Sequence, residues 1–161
     1  MPRKHPTRKD PVQPQERTHE RLVDWYPDRV PDDLYLQMSS GCEAPARGRA
    51  AVAAWSAGLA LDRDASDLLK LLVSELVTNA VRHSAGERIT LAGLLTDEQV
   101  LVTVTDSGAG KLPVVREPDL ARGGYGLHLV DTFAHDWGVE RANGTRVWFT
   151  MDVAPNDSLA G

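Results

Sequence analysis

The chain has 161 residues, 42% of them hydrophobic and 25% charged, with a formal net charge of −5. This is the composition of one globular domain with room for a tail, and the acidic balance argues against direct nucleic-acid binding. The longest apolar run, Ala50 to Trp55, is far short of the ~18 residues a membrane span needs, and the single cysteine, Cys42, has no internal disulfide partner, so a cytoplasmic protein without membrane contact is expected.

Residues 1–31 carry six of the ten prolines and few apolar side chains, so they are expected to form a disordered or loosely anchored N-terminal tail, with Trp25 as its anchor. The tail has no apolar stretch of the kind a secretory signal needs. The compact domain is expected over 32–153 and a polar C-terminal tail over 154–161. From Asp33 to Ser39 the residues alternate, with Leu34, Leu36 and Met38 on one side, which predicts a half-buried strand that could serve core or a homodimer surface. Pro45 opens a small-residue helix over about 46–60, with Val52, Trp55 and Leu59 on its apolar side and Gly58 weakening its end.

The strongest periodicity follows. Ala65, Leu68, Leu69, Leu72, Val73, Leu76, Val77, Ala80 and Val81 recur at helical spacing and predict a long helix over about 64–83 facing a sheet. Strands are expected at Arg88–Leu95 and Gln99–Asp106, the second with Val100, Val102 and Val104 on one uniformly apolar face. A Gly/Pro-rich segment, 107–124, precedes a helix over about 126–134. Asn143-Gly144 then predicts a hairpin between strands at 136–141 and 145–152. Short turns between successive strands imply a two-layer α/β sandwich, a mixed and mostly antiparallel sheet with the helices on one face.

Three stretches carry chemistry. Glu75, Asn79 and His83 stand at i, i+4 and i+8, a polar file along one flank of the long helix. There Asn79 offers a hard oxygen to Mg²⁺, and Glu75 lies one turn behind as a general base. Asp106-Ser107-Gly108-Ala109-Gly110 puts a carboxylate where an apolar strand meets a loop, with glycines that let backbone approach a flat ring. Gly123-Gly124-Tyr125-Gly126-Leu127 opens a helix whose free N–H groups suit an anion. It lacks the Lys-Ser/Thr of a P-loop. The intervening Lys111 to Arg122 has the form of a glycine-hinged lid.

In this order the motifs resemble those of the GHKL ATPases. Ser74 to His83 is similar to their N box, Asp106 to Gly110 to their first glycine box and Gly124 to Leu127 to their second, over about residues 43–152. The chain looks like the stand-alone branch, the anti-sigma-factor serine kinases of bacterial partner switching. The resemblance implies the Bergerat ATP-binding fold, ATP and Mg²⁺ as cofactors, and a sigma factor and an anti-sigma-factor antagonist as partners. By the same resemblance Asn79 coordinates Mg²⁺ and Glu75 deprotonates the attacking serine. Asp106 binds the adenine amine, Gly108 and Gly110 shape the base pocket, and Thr145 assists through a hydroxyl or a water. Gly124 and Gly126, ahead of Leu127, offer N–H groups to the phosphates. No motif fixes the lid residue on the γ-phosphate; Arg122 and Arg116 are the basic candidates. The alternative is a non-catalytic nucleotide switch that sequesters a sigma factor or another regulator.

Overall fold

A computed structural model of the chain describes residues 34–83, 87–96, 99–108, 126–141 and 144–153. The expected tails, the Lys111–Arg122 lid and the Asn143 turn position lie outside the described residues. Five strands and three helices are present among the described residues, in the order β1 (Leu34–Ser39), α1 (Ala44–Ala57), α2 (Arg63–His83), β2 (Arg88–Leu95), β3 (Gln99–Asp106), α3 (Gly126–Phe133), β4 (Asp136–Arg141) and β5 (Thr145–Asp152).

Helix α1 starts two residues earlier than the sequence predicts and stops three earlier. Pro45 sits in its first turn, where a missing N–H costs nothing. The Gly58 N–H closes back on the Trp55 carbonyl at 3.1 Å and ends the helix, which leaves Leu59 outside it. Its buried residues are Ala44, Gly48, Val52 and Ser56, a file of small side chains spaced by four. They allow close approach to α2: a Cβ on Gly48 would lie 3.2 Å from Val77 Cγ2. Trp55 points elsewhere. Its ring lies across Gly93 of β2, where a Cβ would come within 2.8 Å of it.

Helix α2 is capped by Asp62, whose Oδ1 accepts the Ala65 N–H at 2.7 Å. Leu69, Leu72, Val73, Leu76 and Val77 are buried along it, each contributing about 1.5–3 kcal/mol by leaving water. Helices α1 and α3 flank it.

The strands form one sheet in the order β1-β2-β3-β5-β4. Every pairing is antiparallel, so the sheet stands at the antiparallel limit of the expected arrangement. The register places Leu91, Val104, Val147 and Val139 in one row and Gly93, Val102, Phe149 and Trp137 in the next, all on the helix side. Leu34 and Met38 belong to this core, and Leu36 and Trp55 pack against it.

The other face of β3 is not the solvated surface that alternation suggests. Thr103 and its cross-strand neighbour Trp148 are 1% and 2% exposed. The Trp148 indole spreads over Gly138 of the edge strand, where any Cβ would lie within 3 Å of it. A large ring on a strand beside the central one shelters a face that hydroxyls alone would leave wet.

Candidate functional site

The site is built from the ends of β3 and β5. The register brings Met38, Ile89, Asp106, Thr145 and Arg141 into a single row across all five strands, on the helix side of the sheet. The apolar row positions end at Asp106, so a carboxylate stands where the core gives way to the following loop.

Asp106 is 8% exposed. Its Oδ1 accepts the Gly108 N–H at 2.9 Å, a side-chain turn that shapes the start of the glycine segment. Ser107 locks the same corner from the other side: its N–H donates to the Arg88 carbonyl at 3.1 Å, and its Oγ accepts the Arg88 N–H at 3.2 Å. The turn thus uses one carboxylate oxygen. Among the described residues no hydrogen bond reaches Oδ2, which can accept an N–H from a ligand.

Thr145, 3% exposed, is the cross-strand partner of Asp106. Its Oγ1 accepts a hydrogen bond from Arg141 Nη1 at 3.4 Å. Gly144 precedes it with φ +131°, a conformation L side chains rarely adopt, and a Cβ there would overlap the Asp106 carbonyl. The glycine of the hairpin signal therefore does more than turn the chain: it lies against the backbone of Asp106, where a side chain would not fit.

Glu75 and Asn79 are half-buried on α2. Their flank follows from helical geometry. Ser74 and Val77 face α1, through the Arg49 guanidinium on Ser74 Oγ at 3.0 Å and through Gly48 on Val77. At about 100° per residue, Glu75 and Asn79 lie about 100–140° around the helix from Ser74, on the side away from α1. The two are one turn apart on that flank.

Helix α3 begins at Gly126, and Leu127 and Val130 are buried beneath it, so the start of the helix is fixed to the core. Its N-terminal N–H groups have no partners within the helix and are available to an anion. Gly110, Gly124, Arg122 and Arg116 lie outside the described residues. Among the described residues no group of three or more His, Cys, Asp or Glu could hold a metal ion. Asn79 provides a single amide oxygen, which suits a hard cation that takes its remaining ligands from phosphate and water.

Sequence reasoning passed over Arg141 and the contact between Gly144 and Asp106. Both depend on which strands are neighbours. The glycine carried a signal, the Asn-Gly pair, whereas Arg141 carried none.

Residues 38–151 match the family model of the histidine kinase-like ATPase domain. The chain is similar to the anti-sigma F factor of Geobacillus kaustophilus, 29% identical over 143 residues that cover 80% of this chain and 97% of that protein. It is also similar to the anti-sigma F factor of Clostridium botulinum, 34% identical over 128 residues covering 71% of this chain and 90% of that one. Among solved structures, the RsbU and RsbW domains of a Mycobacterium tuberculosis protein superpose with a TM-score of 0.58 at 23% identity. That likeness concerns the fold; it covers 76% of this chain and 33% of the longer one.

Proposed function

The chain belongs to the histidine kinase-like ATPase domain family, and on that premise we propose that it is a Mg-ATP-dependent serine kinase that also binds a sigma factor in bacterial partner switching. The observation that carries this reading is the junction of β3 and β5, where among the described residues only Oδ1 of Asp106 is hydrogen-bonded, beside the buried Thr145. Similarity to anti-sigma F factors over nearly their whole length supports a sigma factor as partner; in this reading an anti-sigma-factor antagonist is the serine substrate. No helix among the described residues is long and apolar enough to cross a membrane, and a cytoplasmic location goes with these partners.

In this reading Asp106 accepts the adenine N6 amine, Thr145 assists, and Gly108 and Gly110 shape the space for the ring. The glycines at 124 and 126, ahead of Leu127, offer backbone N–H groups to the phosphates, with Arg122 as the lid cation. Asn79 holds Mg²⁺, which when bound supplies charge neutralisation on the phosphate oxygens. Glu75, one turn from Asn79, accepts the proton of the attacking serine hydroxyl as its oxygen bonds to the γ-phosphorus. The serine gains the phosphoryl group and ADP leaves.

The test is incubation of the chain with γ-labelled ATP, Mg²⁺ and a purified antagonist protein. Label on an antagonist serine is expected. Tight ATP binding without transfer replaces the kinase by a nucleotide-gated sequestering module, and absence of ATP binding by folded protein overturns the reading altogether.

A further inference from the structure

We infer that Arg141 is a positioning residue that sets the hydrogen-bonding polarity of the base-binding end of the site, acting through the Thr145 hydroxyl; this rests on the proposed role of Asp106 and Thr145 as the adenine-facing pair. Arg141 closes the row across the sheet, with Thr145 between it and Asp106. Its Nη1 donates to Thr145 Oγ1 at 3.4 Å. Threonine is 3% exposed here, so its hydroxyl has little access to water that would reorient it.

A hydroxyl has one proton to give and two lone pairs, whereas a guanidinium only donates. Arg141 therefore occupies a lone pair of Thr145, and its positive charge turns the hydroxyl proton away. The opposite side of Thr145 in the row is the Asp106 side. Asp106 Oδ1 is engaged by the Gly108 N–H. The pair then presents a base with an acceptor from Asp106 and a donor from Thr145, side by side. Adenine offers the complement, an N6 donor beside the N1 acceptor, directly or through one water. Guanine offers the reverse, the O6 acceptor beside the N1–H donor. Without Arg141 the hydroxyl can accept as readily as donate, and the preference at the N1 position is lost.

The test is equilibrium binding of ATP, 1-deaza-ATP and GTP to the full chain and to Arg141→Met, Arg141→Lys and Thr145→Val. Wild-type protein should bind 1-deaza-ATP, which lacks the N1 acceptor, about tenfold more weakly than ATP, the worth of one hydrogen bond. In Arg141→Met that ratio should fall to within about twofold and the discrimination against GTP should shrink, because one hydrogen bond no longer has a fixed direction. Arg141→Lys, which keeps a charged donor, should restore both. Adding Arg141→Met to Thr145→Val should change nothing further, since the two act through one hydroxyl. The wild-type ratio requires no variant to fold. Equal binding of ATP and 1-deaza-ATP by wild type, or an unchanged ratio in folded Arg141→Met, overturns the inference. Asp106→Asn separates the two levels. Lost ATP binding there together with an unmoved Arg141→Met ratio rejects the Arg141 role alone, while undisturbed ATP binding in Asp106→Asn rejects the underlying site.

Discussion

Gly144 and Asp106 are in backbone contact: the Cα of the glycine, at φ +131°, lies against the carbonyl of the aspartate. Gly144→Ala should therefore cost stability twice. The positive φ alone penalises an L side chain by about 1–2 kcal/mol, and the overlap forces the hairpin away from β3. A fall in melting temperature of several degrees is expected, at about 2–4 °C per kcal/mol for a chain of this size. ATP affinity should drop with it, since the same shift moves Thr145 from Asp106. Calorimetric melting with and without nucleotide checks both.

Glu75→Gln should leave Mg-ATP affinity within about twofold of wild type and lower serine phosphorylation by about 10²–10⁴-fold, the usual contribution of a general base. Single-turnover transfer with saturating ATP measures it. Equal loss of binding and transfer would reassign Glu75 to holding the nucleotide.

Asn79→Ala should weaken binding of ATP in the presence of Mg²⁺ and have much less effect in EDTA, because the amide is proposed to act through the cation. Binding isotherms in the two buffers give the comparison. The same loss in both would place the side chain against the nucleotide itself.

The Trp55 ring across Gly93 yields a stability test far from the site. Gly93→Ala puts a methyl where the ring already is, 2.8 Å from two of its carbons, and should cost about 1–3 kcal/mol by overpacking. In a Trp55→Leu background the same substitution should cost much less. Chemical denaturation of the four proteins of the cycle gives the coupling.

The contrast between Trp55 and the strands shows what the residue pattern carries. Strands β2, β3, β4 and β5 have the bounds that alternation and turn residues predict, because a two-residue period with a fixed break leaves little latitude. In helix α1 the apolar spacing found only part of the buried side: Val52 is in the core and Trp55 and Leu59 pack against it. Its buried side joins Val52 to Ala44, Gly48 and Ser56, small residues that look like filler until α2 lies against them, and Trp55 is spent on the sheet instead of the interhelical seam. Of the candidate site, Glu75, Asn79, Asp106 and Gly108 could be proposed from sequence because each belongs to a local motif whose spacing matters. Arg141 was not, because its relation to Asp106 runs through Thr145 and across two strand pairings, and register is a property of the folded sheet.

Strand order has a further outcome for how the molecule breathes. Asp106 and Thr145 hang from β3 and β5, each flanked on both sides, whereas Glu75 and Asn79 ride on a helix. Core strands and core helices release their amide protons only in openings close to global unfolding, whereas stretches with few buried contacts open far more readily. A bound nucleotide would thus slow isotope exchange chiefly in the less buried backbone around it, while β3 and β5, already shut, would register little change.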